Sequence, residues 1–317
     1  MGSVRELAEK IKTRGILRGA LRAQEPMSAH ASFRIGGPAD LFAAPETVEE
    51  SLALLSLAAE ASVPVFLLGG GTNILVADRG IRGLVLDLGR LARAEESGGL
   101  VSAMCGAPIS GLSELALSRG LAGLEFCFAL PGSVGGAVWM NARCYEQQAS
   151  EALEFVDALD PTDPVVRRLP VRPEEWGYKR SPFQAGNELI LRAGFRLSPG
   201  NPALIEEQMK DHRADRERKG HFLYPCAGSV FKNDRSFGAP TGKLIDSLGL
   251  KGRRLGGAQI APFHGNIIVN LGGASAADVR ALIELVESEV ERTLGFHLER
   301  EVLLVGEWAP PTLRASW

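Results

Sequence analysis

Apolar positions recur at helical spacing in several stretches of the chain and crowd into short runs between them, which predicts helices alternating with brief strands. Val4, Leu7, Ile11 and Leu17 stand among charges, predicting a peripheral helix over residues 4 to 22. Thr47-x-x-Glu50 is a capping box opening a helix to Ser62, with Val48, Leu52, Leu55 and Ala59 on one face. Further helices are expected from Ile109 to Arg119, stopped by Gly120, from Ala203 to Lys219, and from Gly242 to Leu248. Ser275-x-x-Asp278 caps a last helix to Leu294, with Val279, Leu282, Ile283, Val286 and Val290 as one stripe and Gly295 as its stop. Strands are expected at the apolar run after Pro64, at Leu84 to Leu88, Val101 to Cys105, Glu154 to Asp160, Val165 to Leu169 and Glu188 to Leu197. A strand pair follows at 256 to 260 and 264 to 270, then a strand from Leu298 to Val305. The segment from Asp160 to Pro164 is a turn by composition, and Ser198 to Pro202 is the clearest linker, so a domain boundary is expected near residue 200.

Two glycine-rich segments interrupt this pattern. The first, Gly69-Gly70-Gly71-Thr72-Asn73, follows an apolar strand; without Cβ atoms, successive N–H groups can turn toward one anion, and Thr72 and Asn73 add side-chain donors. Taken alone it is either a plain tight turn or a ligand loop. It is not a dinucleotide fingerprint, because Ile74 stands where a third glycine is required. Gly238 and Gly242 enclose three residues where a P-loop needs four. The second segment, Pro131-Gly132-Ser133-Val134-Gly135-Gly136-Ala137, enters apolar chain. Two backbone-exposing loops suit an extended, diphosphate-linked ligand better than one.

Composition narrows the classes. With 317 residues, 45% hydrophobic and 23% charged, the chain is long enough for two or three cores. Its 35 basic and 38 acidic residues leave a net charge of −3, with no electrostatic footprint for nucleic acid or an anionic membrane. No apolar run reaches the ~20 residues of a membrane span, and the N-terminus lacks a signal-peptide core, so a cytoplasmic protein without membrane insertion is expected. The four cysteines show no paired spacing, and the five histidines form no metal motif with them. No metal is expected.

Other candidates are ambiguous by residue type alone. Arg34 beside Gly36-Gly37-Pro38 is a cation on a bend. The stretch from Glu175 to Gln184, with Trp176, Tyr178, Lys179, Arg180 and Phe183, is an aromatic and basic turn. Ser229 follows Gly228 before an apolar pair, with Lys232 and Asn233 close behind, and no Gly-x-Ser-x-Gly elbow surrounds it. Glu299 and Glu301 face one way on the last strand and Arg300 the other.

Taken in order, Ser32 to Asp40, the two glycine loops, Tyr178-Lys179-Arg180-Ser181, Gly228-Ser229-Val230-Phe231-Lys232-Asn233 and the C-terminal Glu301 strand resemble the UDP-N-acetylenolpyruvoylglucosamine reductase family over roughly residues 28 to 307. The resemblance, to the compact type II form, implies an α+β flavoprotein: a helical extension at 1–27, an FAD-binding region of two α/β subdomains (vanillyl-alcohol-oxidase/PCMH-like) at about 28–90 and 91–200, and a C-terminal α+β substrate-binding domain at 201–317. It implies FAD as cofactor, NADPH as reductant and UDP-N-acetylglucosamine enolpyruvate as substrate; a monomer is expected, with an oligomer left open. FAD would be held by Arg34, Gly69, Gly70, Gly71, Thr72, Asn73, Pro131, Gly132, Ser133, Gly135, Gly136 and Ala137. Ser229 falls on the proton donor, Glu301 on a catalytic carboxylate, and Tyr178, Asn233 and Gln259 on substrate contacts. The family usually reads Tyr-Arg-x-Ser where this chain has Tyr-Lys-Arg-Ser, so the catalytic cation is either Lys179 or Arg180. Another flavin oxidoreductase on the same scaffold and a non-catalytic UDP-sugar binder remain alternatives.

Overall fold

The structure is a computed structural model that describes residues 3–160, 163–186 and 188–308. It divides into two compact units, neither continuous in sequence: residues 1–22, 42–70 and 84–219 form one, and 23–41, 71–83 and 220–317 the other. A four-stranded sheet takes the order Ala20–Pro26, Pro38–Ala44, Ile81–Asp87, Val65–Leu68.

The first unit is built on an antiparallel five-stranded sheet in the order Asp163–Pro170, Leu153–Asp160, Leu189–Arg196, Leu100–Met104, Ala94–Ser97. The short Val134–Trp139 helix lies against its Leu189–Arg196 and Leu100–Met104 strands. The N-terminal helix is shorter than its periodicity predicts. It spans Val4–Arg14, capped by Ser3 and ended by Gly15 in the left-handed conformation, and residues 20 to 22 already belong to a strand. It packs on the Val48–Glu60 helix through Leu7 and Ile11.

The expected linker is also ordered. Ser198 and Pro199 pair with Ala122 and Leu121, Asn201 caps the next helix by accepting from Ala203 N–H, and Pro202 occupies its first turn. That helix, Pro202–Arg218, belongs to the first unit, so the compact units part at Lys219 and Gly220. It buries Ile205 and Met209 and packs on the Ile109–Ser118 helix and the Glu125–Cys127 turn. The Asp160–Pro164 turn includes residues outside those described.

The second unit has a three-stranded antiparallel sheet, Arg254–Leu255, Ala258–Ile260 and Ile268–Asn270, covered by the Ala276–Leu294 helix. That helix begins with the expected Ser275–Asp278 capping box and ends at left-handed Gly295. Its predicted stripe is core: Val279, Leu282, Ile283, Val286 and Val290 pack with Phe33, Leu75, Val230 and Phe231. Each such side chain contributes about 1.5–3 kcal/mol by leaving water. Only the end of the last expected strand is regular, with Leu303–Val305 running parallel to Ile74–Val76.

Ile283→Ala should therefore destabilise the protein by about 2–5 kcal/mol, read as a lowered urea midpoint, whereas Leu303→Ala, at a 36% exposed position, should change it by less than about 0.5 kcal/mol.

Candidate functional site

In the first unit the two glycine loops meet. The Val65–Leu68 strand, parallel to Leu84–Asp87, delivers Gly69 and Gly70 against Gly132 and Ser133. A Cβ on Gly70 would lie 2.6 Å from Gly132 Cα, and one on Gly69 2.5 Å from Ser133 Oγ. At Gly70 the clash is with backbone, so close backbone approach requires glycine there; at Gly69 it is with a side-chain hydroxyl. Ser133 caps the Val134–Trp139 helix by accepting from Gly136 N–H at 3.3 Å.

The N–H groups of Val134 and Gly135 are taken by Ala107 and Cys105 carbonyls. Among the described residues, those of Gly69, Gly70, Gly132 and Ser133 make no hydrogen bond. Pro131 and Gly136 are exposed, and Ala137 is buried, so its side chain is packing rather than contact surface. The arrangement is a cradle of backbone donors that a Cβ would fill, which fits a ligand carrying phosphates.

The basic turn lies in the same unit. Gly177 and Arg180 exchange both backbone hydrogen bonds at 3.0 Å, placing Tyr178 and Lys179 at the tip, with Lys179 at a left-handed φ of 54°. Arg180 is exposed and folds back on the turn, its Nε 3.5 Å from where a Gly177 Cβ would be. Lys179 is half-buried. The Cys144 thiol is pushed up by burial and pulled partly back by the Arg216 and Lys179 charges. The Tyr178 ring, 36% exposed, receives the Arg143 guanidinium at 5.4 Å. The two candidate cations thus differ in exposure, which residue type alone does not reveal.

In the second unit, Gly71 continues the first loop at a φ of 61°, and a Cβ there would sit 2.0 Å from the His30 carbonyl oxygen. Its own carbonyl accepts from Ser32 N–H at 2.9 Å, tying the loop to the segment that carries Arg34. Arg34 is exposed between buried Phe33 and Ile35, itself left-handed at 54°. Asn73, expected as a ligand donor, points its Nδ2 at the Glu301 carbonyl at 3.0 Å, while its own carbonyl accepts from Leu303 N–H. Thr72 is half-buried beside it.

Ser229 and Glu301 come together here. Ser229 bridges to Ile267, and Glu301 N–H donates to the Val230 carbonyl at 2.8 Å, so the two residues flank one hydrogen-bonded crossing. Both are half-buried, and among the described residues the Ser229 hydroxyl carries no hydrogen bond. Glu299 pairs with Lys232 at 2.6 Å and Arg300 with Glu287 at 2.6 Å. Asn233 is exposed and uses Oδ1 to accept from Thr241 N–H, and Gln259 donates Nε2 to the Gly252 carbonyl.

Three amides were missed by sequence reasoning. Asn266, 2% exposed, brackets Phe231 by accepting from its N–H and donating to its carbonyl, and so braces the strand after Ser229. Asn141 and Gln184 grip the basic turn, with Nδ2 to the Gly177 carbonyl at 2.8 Å and Nε2 to the Lys179 carbonyl at 3.1 Å. The only sequence signal was an amide next to apolar chain at an element's end. Among the described residues no three metal-ligating side chains cluster, and no helix is long and apolar enough to cross a membrane.

Comparison with known proteins assigns both parts. Residues 39–167 match an FAD binding domain, and residues 220–305 match the C-terminal domain of UDP-N-acetylenolpyruvoylglucosamine reductase. The chain is 39% identical to the UDP-N-acetylenolpyruvoylglucosamine reductase of Treponema pallidum, over 95% of this chain and 96% of that one. It is 42% identical to that of Rubrobacter xylanophilus, over 91% and 96%. The crystal structure of the Thermus caldophilus reductase superposes with a TM-score of 0.75 at 32% identity, covering 92% of this chain and all of that one. The α+β architecture, the FAD-binding region and the separate C-terminal domain all agree with these relatives, and the chain belongs to the UDP-N-acetylenolpyruvoylglucosamine reductase family.

Proposed function

We propose that this chain carries out the NADPH-dependent, FAD-mediated reduction of UDP-N-acetylglucosamine enolpyruvate to UDP-N-acetylmuramate, a step of peptidoglycan precursor synthesis, as a cytoplasmic monomer. The observation that carries the residue assignment is the crossing that sets Ser229 beside Glu301 in a unit matching the reductase's C-terminal domain.

FAD, when bound, supplies a hydride carrier between NADPH and the enol ether. Gly69, Gly70, Gly132 and Ser133 in the first unit present the backbone donors for its phosphates, with Pro131, Gly135, Gly136 and Ala137 shaping that loop. Arg34, Gly71, Thr72 and Asn73 are further proposed contacts. Asn73 then acts chiefly by fixing the Glu301 carbonyl.

Hydride addition to the enolpyruvyl methylene carbon makes a methyl group and leaves negative charge on the neighbouring carbon, delocalised into its carboxylate. A cation must stabilise that charge and an acid must protonate that carbon. Lys179 is the cation in this reading, because its side chain is the half-buried one of the basic pair while Arg180 turns back to solvent. An ammonium stabilises the charge spread over the carboxylate oxygens as a point charge, without the two-point contact a guanidinium would make. Ser229 gives the proton from a hydroxyl that no neighbour occupies among the described residues, and Glu301 orients the intermediate or shares in the relay. Tyr178, Asn233 and Gln259 are proposed substrate contacts; Asn233 is held by Thr241 through Oδ1, and Gln259 by Gly252 through Nε2.

Three outcomes are expected. Ser229→Ala should slow enol-ether reduction by about 10²–10⁴, the usual worth of general acid catalysis, and leave flavin reduction by NADPH within about twofold; an equal loss in both half-reactions would make Ser229 structural. Lys179→Asn, a residue that tolerates the left-handed backbone, should slow enol-ether reduction by about 10²–10³, as loss of a charge-stabilising donor does, whereas Arg180→Gln should not; the reverse ranking in single-turnover traces would move the role to Arg180. Gly70→Ala should weaken FAD binding at least about tenfold, roughly 1.4 kcal/mol, in a fluorescence titration, while Gly111→Ala, whose added methyl meets only Pro108 at 4.0 Å, should leave it unchanged.

A further inference from the structure

We propose that Gln184 and Asn141 are positioning residues for Lys179: their side-chain amides hold the carbonyls of the Gly177–Arg180 turn and so fix the left-handed backbone that turns the Lys179 side chain inward. The inference rests on the assignment of Lys179 as the cation. Lysine has no intrinsic preference for a φ of 54°, and such a conformation persists only where the surroundings over-determine it.

The surroundings do so from two sides. Gln184, at the end of the Pro182–Gln184 turn, donates Nε2 to the Lys179 carbonyl at 3.1 Å and to the Trp139 carbonyl at 3.0 Å. Two acceptors on one atom settle which end of the amide faces them. Ser181 adds its hydroxyl to the same Trp139 carbonyl at 2.6 Å. Asn141, fully buried, donates Nδ2 to the Gly177 carbonyl at 2.8 Å and accepts from Ser150 N–H at 3.0 Å, so both ends of its amide are used.

These anchors converge on the C-terminal end of the Val134–Trp139 helix, whose N-terminal end is capped by Ser133 of the glycine cradle. One six-residue helix therefore carries the backbone donors at one end and the seat of the basic turn at the other. With Lys179 at a negative φ, its Cβ would leave in a different direction, and its half-buried place would be lost.

Gln184→Glu tests this with little change of shape. As a carboxylate it places an oxygen against two carbonyl oxygens; once protonated it can donate again. The charged groups near the turn are Lys179 and Arg180 on it, Arg143 over the Tyr178 ring with its partner Glu146, and Arg216 beside Cys144. Enol-ether reduction by the FAD-loaded variant should fall about tenfold near pH 8 with NADPH-driven flavin reduction unchanged, and should recover as the pH is lowered, an acid limb that Gln184→Leu and the parent protein lack.

The second readout needs no turnover. In a Cys226→Ser background, where Cys105 and Cys127 are buried, iodoacetamide reports the apparent pKa of Cys144. Removing the Lys179 charge by Lys179→Asn should raise that pKa, and Gln184→Glu at high pH should raise it too, because the ammonium has moved away. Asn141→Asp, which keeps the acceptor for Ser150 and loses the donor to Gly177, should behave like Gln184→Glu if the latter folds poorly. An unchanged Cys144 pKa in both amide variants, or equal losses in both half-reactions without recovery at low pH, overturns the proposal. If Lys179→Asn leaves enol-ether reduction intact while the amide variants still shift Cys144, the clamp stands and the assignment of Lys179 as the catalytic cation fails.

Discussion

Close approach of backbone to backbone is the constraint on which the first unit depends. Gly70 and Gly132 come from segments more than sixty residues apart, yet a single carbon on Gly70 would overlap Gly132. The contact leaves four N–H groups, on Gly69, Gly70, Gly132 and Ser133, without protein partners among the described residues. Unmade backbone hydrogen bonds are tolerated where solvent or a ligand makes them instead. Phosphate oxygens satisfy that demand, which is why the cradle and the FAD-binding domain match point the same way.

The residues proposed to react are braced by hydrogen bonds from side-chain amides to nearby backbone. Asn266 brackets Phe231 beyond Ser229, and Asn73 holds the carbonyl of Glu301. Gln184 and Asn141 hold the carbonyls around Lys179. Neutral amides suit this task because they fix geometry without adding a charge that would compete with the substrate's own. The nearby acids that could compete are occupied, Glu299 with Lys232 and Glu287 with Arg300.

Much of this was legible in the sequence, for reasons that are local. The cap at Ser275, the stop at Gly295 and the apolar stripe between them depend on spacing within one helix, and all stand in the structure. The glycine loops were legible as backbone-exposing segments because glycine's lack of Cβ is intrinsic. What failed was non-local. Leu17 kept the helical spacing past Gly15, but Gly15 ends the helix and the next residues serve a sheet. Ser198 to Pro202 has linker composition, yet Ser198 and Pro199 pair with Leu121 and Ala122. Asn73 was legible as a donor but not as a donor to Glu301, and Lys179 and Arg180 were indistinguishable until tertiary amides fixed the turn.

The most direct test of the account is an anaerobic stopped-flow absorbance trace of the FAD-loaded protein, mixed first with NADPH and then with UDP-N-acetylglucosamine enolpyruvate. Bleaching of the flavin followed by rapid recolouring on addition of the enol ether is the predicted result. Bleaching that persists after the enol ether is added would contradict the assigned substrate, and a protein that takes up no FAD would contradict the reading of the glycine cradle.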